Sequence, residues 1–130
     1  ASKNNLNDLF INGLNINPDD LFDVIAHGET TENKKPSPEI YEWALENLKL
    51  PSSACLAIED SPRGLESATK AKIKVLITPS KLMIDENFDD ALTVLSDLGD
   101  KNKPFKLISG ESFGFKKVDY EFLNKVHSLQ

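Results

Sequence analysis

The sequence predicts an α/β fold, a parallel sheet with helices on both faces, and three features predict it. Apolar runs at Phe22–Ala26, Cys55–Ile58 and Lys74–Thr78 are too continuous to have a wet face. Segments with apolar residues at helical spacing lie between them. The order strand, helix, strand, helix, strand, with strands that do not alternate apolar and polar residues, belongs to a sheet covered on both sides.

The elements follow in order. Leu6, Leu9, Phe10 and Leu14 repeat at helical spacing with Ser2 as N-cap, and Gly13 with Asn15-Ile16-Asn17-Pro18 stops that helix. Phe22–Ala26 reads as a short buried strand, and Gly28 to Lys35 as a polar loop. Ser37 caps the next helix with Pro38 at its first position, and Ile40, Tyr41, Ala44, Leu45 and Leu48 form its apolar face. Trp43 lies off that stripe, and both aromatic residues read as packing. Cys55–Ile58 is a strand that ends abruptly in Glu59-Asp60, and Ser61-Pro62 starts a helix containing Leu65 and Ala68. Lys74–Thr78 is a buried strand closed by Pro79; 79–90 is irregular, and Leu92–Leu95 offers one more strand. No convincing domain boundary is present, and residues 1–130 read as one domain. About 1–100 bear the motifs, and about 101–130 form a strand and helix tail, loosely attached if Asp100 to Lys103 is a surface loop. Within the tail, Phe113 and Phe115 read as core or edge packing in preference to an exposed aromatic loop around Gly114. Asp119 caps a closing helix with Phe122, Leu123, Val126 and Leu129 inward.

Composition narrows the function classes. A chain of 130 residues suits one domain. The net charge of −6, with basic residues scattered singly or in pairs, argues against a nucleic-acid surface. No apolar stretch approaches the roughly 20 residues a membrane helix needs, so no membrane partner is expected. Cys55 is the single cysteine, which excludes an intrachain disulfide and suits a buried thiol in a reducing compartment. A cytoplasmic location is expected, or a plastid one in a photosynthetic eukaryote.

Glu59-Asp60 carries most of the chemical information. Adjacent acids directly after a buried strand lie at its C-terminal end, where open α/β sheets bind ligands. Such carboxylates repel unless a cation or proton separates them, and Mg²⁺, which takes oxygen ligands, is the cation they suit. A solvated acidic turn, with Asp60 or Ser61 capping the next helix, suits the same residues. Lys35, flanked by Pro36, leaves its loop at a helix start and suits the balancing of carboxylate charge beside a phosphoryl oxygen. Taken alone it is equally a surface lysine. Ser2-Lys3-Asn4 opens the first helix as a phosphate cradle or simply as a capped start. His27 reads as a loop residue and His127 as a surface residue, and no His/Cys spacing suggests zinc.

In combination these pieces resemble the haloacid dehalogenase (HAD) superfamily of phosphatases and phosphomutases. Lys35-Pro36-x-Pro38-x-x-Tyr41 is similar to that family's third motif. Ile58-Glu59-Asp60-Ser61-x-x-Gly64, followed by Ala68 and Ala71, is similar to its fourth. Ala1-Ser2-Lys3-Asn4 resembles the segment after the second-motif hydroxyl in β-phosphoglucomutase-like members. Asp85-Glu86-Asn87-Phe88 and Ser96-Asp97-Leu98-Gly99-Asp100 resemble the ending of phosphatases acting on xylulose-1,5-bisphosphate. Lys72 stands where many relatives end the helix with glycine.

The resemblance implies a three-layer, Rossmann-like HAD core and a sugar phosphate or bisphosphate as substrate. Glu59 and Asp60 would hold Mg²⁺, and Lys35 would orient the nucleophile and steady the phosphoryl group. Ser2, Lys3 and Asn4 would contact phosphate, with Ser61 and Gly64 shaping the helix start. The family's Asp-x-Asp nucleophile strand and its cap domain have no counterpart here. The chain is therefore expected to be the C-terminal half of a phosphatase working through an aspartyl-phosphate, inactive alone, and either paired with the missing N-terminal segment or self-associated. A phosphomutase, or a noncatalytic binding module derived from the family, remains open at this point.

Overall fold

The computed structural model describes residues 2–129. A four-stranded sheet in the order β1-β2-β3-β4 forms its centre. The strands are β1 (Leu56–Glu59), β2 (Lys74–Ile77), β3 (Thr93–Leu95) and β4 (Leu107–Gly110). The first three run parallel, with Ala57 opposite Val75 and Ile77 opposite Val94, and β4 pairs antiparallel with β3. The helices are α1 (Lys3–Asn7), α2 (Pro18–Leu21), α3 (Glu39–Leu48), α4 (Pro62–Lys70) and α5 (Tyr120–His127). α1 continues into a π-helical stretch, Asp8–Gly13.

Side chains alternate across the strands, and each face has its own core. Ala57, Val75, Ile77 and Val94 face Leu65 and Ala68 of α4, with Tyr41 and Leu45 of α3 packed alongside. Leu76 and Leu95 face Phe122 and Val126 of α5, joined by Phe105. The expected layers, helix on sheet on helix, are present. Ser61 and Asp119 cap α4 and α5 as expected, accepting from the N–H groups of Gly64 and Phe122. The cap of α3 is shifted: the helix starts at Glu39, although Ser37 Oγ still accepts from the Glu39 N–H at 3.3 Å.

Three features differ from the expectations. Phe22–Ala26 is not a strand: it joins no ladder, and Phe22 packs edge-on against Phe10 with ring centroids 5.4 Å apart. An apolar run becomes a strand only beside another strand, and none of the described residues provides one. The segment after Gly99 is not loose. β4 closes the sheet, and Phe105 and Phe115 pack on Phe122 with centroids 5.5 Å away. Phe113 stays exposed with Lys125 over its ring. His127 is half-buried, and its Nε2 is shielded without a hydrogen-bond partner among the described residues. α5 turns this residue towards β1, where it lines a groove with Leu56, Ile58 and Leu123.

That groove follows the far edge of β1. Among the described residues β1 pairs with β2 alone, and Ile58 is 45% exposed. An open edge with apolar side chains is a template for a further strand.

Lys72 ends α4 in the left-handed region at φ 62°. A side chain there is strained by roughly 1–2 kcal/mol, partly offset by the greater unfolded freedom of glycine. Lys72→Gly is expected to raise unfolding free energy by about 0.5–1 kcal/mol in urea denaturation.

Candidate active site

The site begins where β1 ends. The carbonyls of Glu59 and Asp60 accept from the N–H groups of Thr78 and Ser80, at 2.9 and 3.3 Å, so the strand end is fixed to the segment after β2. Ser61, with extended backbone, turns the chain into α4, and Pro62 occupies its first turn. Asp60 is exposed, and among the described residues no ion pair reaches its carboxylate.

Glu59 has the opposite environment. Its side chain is only 9% exposed, and Oε1 accepts from both Lys35 Nζ and Tyr41 Oη. Lys35 comes from the loop before α3, across a cis peptide to Pro36, and its ammonium lies 5.3 Å from the centre of the Tyr41 ring. A Cβ on Gly64 would stand 2.0 Å from Glu59 Oε2. Glycine is what lets α4 start against this carboxylate, and alanine would push Glu59 off its two donors. Burial, reinforced by the hydrogen bond and the charge of Glu59, pushes the Tyr41 phenol far above its ordinary range, so it remains a donor.

The loop carrying Lys35 is held from α3. The Glu39 carboxylate accepts from the N–H groups of Asn33 at 2.9 Å and Glu32 at 3.1 Å. Those backbone donors, Asn33 foremost, hold Glu39 below the usual carboxylate range. A cleft of about 330 Å³ opens beside Lys35, walled by Asn33, Lys34, Ser61 and Arg63.

The structure thus unites Lys35, Glu59, Asp60, Ser61 and Gly64. Ser2, Lys3 and Asn4 stand apart. Ser2 Oγ caps α1 by accepting from Asn5 N–H, the Lys3 N–H donates to Glu29, and Asn4 is exposed. Lys3 lines a different cleft with Ile25 and His27, whereas Ala26 and Gly28 line the clefts at Lys35. The two groups thus line different clefts. Tyr41, read from sequence as packing, also makes a polar contact at the site. The period of α3 shows its inward direction but not the acceptor its hydroxyl meets.

Glu59 and Asp60 fit a hard divalent cation in kind, as carboxylate oxygens at a strand end. In number they are short, since the described residues contain no cluster of three or more acidic, histidine or cysteine ligands. Asp60 is free to ligate, whereas Glu59 already serves two donors.

A helix-covered, mainly parallel sheet with a lysine and an acid pair at one strand end defines an α/β core with its charged site at the strand end. The family profile described as haloacid dehalogenase-like hydrolase matches residues 2–78, and the chain belongs to that family. It is 46% identical over 79 residues to Protein CbbY of Rhodobacter capsulatus, covering 61% of this chain and 35% of that protein. The crystal structure of CbbY from Rhodobacter sphaeroides in complex with phosphate superposes with a TM-score of 0.70 at 34% identity, over 74% of this chain and 43% of that one. A mutant of the same protein in complex with xylulose-(1,5)bisphosphate superposes with a TM-score of 0.62 at 36% identity, over 65% of this chain and 37% of that one. The chain thus spans about a third of the length of its CbbY relative.

Tyr41→Phe is expected to cost about 1–3 kcal/mol, because Glu59 loses a shielded donor. The raised phenol pKa makes this contribution full below about pH 10. It declines at higher pH, where the unfolded chain ionises Tyr41 and the folded chain does not. Denaturation midpoints across that range measure it, and the gap between wild type and Tyr41→Phe should narrow as pH rises.

Proposed function

We propose that this chain is the lysine- and acid-bearing part of a Mg²⁺-dependent phosphatase acting on a phosphorylated sugar, with a sugar bisphosphate as the favoured substrate. The observation that carries the proposal is the pairing of Lys35 with Glu59 at the C-terminal end of β1, directly before the exposed Asp60. The bisphosphate follows from the ligand in the CbbY structure, a relative of this chain.

Asp60 would hold the metal, with Glu59 as the neighbouring carboxylate that also keeps Lys35 in place. The ion, when bound, would neutralise charge on the transferring phosphoryl group. Lys35 would steady the phosphoryl oxygens as a fixed positive charge, and Tyr41 would hold Glu59 so that the lysine stays aligned. The cleft walled by Asn33, Lys34 and Arg63 would admit the polar substrate. The nucleophile is assigned to a carboxylate outside this chain, forming an aspartyl-phosphate. Ser2, Lys3 and Asn4 would contact the second phosphate of a bisphosphate, since Lys3 lines a different cleft from Lys35.

In the full-length parent enzyme, Asp60→Asn and Lys35→Met are each expected to lower kcat/KM for a sugar phosphate by about 10²–10³-fold. Hydrolysis should require added Mg²⁺. Wild-type rates in either variant, or full turnover after chelation, would overturn the assignment. The isolated chain should show no turnover.

The open edge of β1 motivates a second expectation. The chain alone should self-associate in sedimentation velocity, and a strand-bearing segment of the parent protein should suppress this. A monodisperse monomer would contradict it.

A further inference from the structure

Two side chains of α4 grip the loop that carries Lys35. Arg63 Nη2 donates to the Lys35 carbonyl. Ser67 Oγ donates to the Ser37 carbonyl at 2.6 Å. The two acceptors lie either side of Pro36, which has no N–H of its own to fix the loop. The two donors are four residues apart, so they project from one face of α4. Gly64, on the same turn as Arg63, packs against the Glu59 carboxylate.

Ser67 is the more telling of the pair. A serine inside a helix ordinarily turns its hydroxyl back to the carbonyl four residues earlier, or out to solvent. Ser67 is fully buried and instead reaches a carbonyl 30 residues away in sequence. A hydroxyl shielded from water needs a partner, and the Ser37 carbonyl supplies it. Alanine would fill the same helical position without this bond, so the hydroxyl serves the loop and not α4 itself.

We infer that Arg63 and Ser67 are positioning residues for Lys35. They hold the backbone on both sides of Pro36 and so fix the point from which the lysine side chain leaves towards Glu59. Because α4 begins directly after Asp60 and Ser61, the clamp makes the acid pair and the lysine one rigid unit. Other bonds of this loop, Glu39 to Glu32 and Asn33 and the Ser37 N–H to the Lys34 carbonyl, tie it to α3 and to itself but not to α4. A misplacement of about 1 Å can cost about 10²-fold in rate. The catalytic consequence rests on the role proposed for Lys35, whereas the clamp is a matter of structure.

The test uses the full-length parent enzyme with Ser67→Ala, Arg63→Ala and Arg63→Lys. Acetylation of Lys35 is followed by peptide mass spectrometry, with its neighbour Lys34 as internal reference. kcat and KM for a sugar bisphosphate are measured in parallel. Ser67→Ala and Arg63→Ala should raise the Lys35-to-Lys34 labelling ratio about threefold or more, as local opening frees the amine. Both should lower kcat about tenfold or more. Ser67→Ala, at a residue that does not line the substrate cleft, should do so with little change in KM, the pattern of lost alignment. Arg63→Lys, which keeps a donor, should restore most of both. An unchanged labelling ratio in both alanine variants would overturn the clamp. So would equal increases at Lys34 and Lys35, the mark of general loosening. If the wild-type enzyme hydrolyses no phosphorylated sugar, the proposed function fails by itself, and the labelling ratio still decides the clamp.

Discussion

The Glu59 carboxylate is the constraint on which the site depends. It stands at the end of a parallel strand, almost shielded from water, and takes two donors on one oxygen. An ionised carboxylate in such a place is costly unless paired and hydrogen-bonded. Lys35 and Tyr41 meet that need, and each belongs to a different segment. The other oxygen lies where only a glycine lets α4 approach. One side chain thereby ties together the loop before α3, α3 itself, the end of β1 and the start of α4. Asp60, its neighbour, is left exposed.

Local signals carried well from sequence to structure. Ser61-Pro62 and Asp119 act as caps because capping depends on a few adjacent residues, and the apolar runs of β1, β2 and β3 became strands because they neighbour one another. Lys35 and Glu59 were brought together by family motifs and not by spacing alone, since 24 residues separate them. Non-local features did not carry. Phe22–Ala26 has strand-like composition but no ladder partner among the described residues. β4 is exposed along its whole length, so Leu107–Gly110 shows no burial pattern to read. The hydroxyls of Tyr41 and Ser67 find acceptors 18 and 30 residues away, which no helical period reveals.

The division of labour in the site follows from the geometry. Groups that hold charge and position are inside this chain, supported by α3, by α4 and by the segment after β2. The open edge of β1 lies next to them, with Ile58 uncovered and the Nε2 of His127 unmatched in the same groove. A further strand laid there would cover that apolar surface and end beside Asp60.

The claim that Glu59 is the joint between these segments is tested most directly by a double-mutant cycle. Unfolding free energies are measured for wild type, Tyr41→Phe, Glu59→Ala and the double variant. Groups in direct contact couple by about 0.5–3 kcal/mol, and the account predicts a coupling of about 1 kcal/mol or more, since the hydrogen bond is shielded. Additivity within about 0.3–0.5 kcal/mol, the behaviour of independent sites, would contradict it.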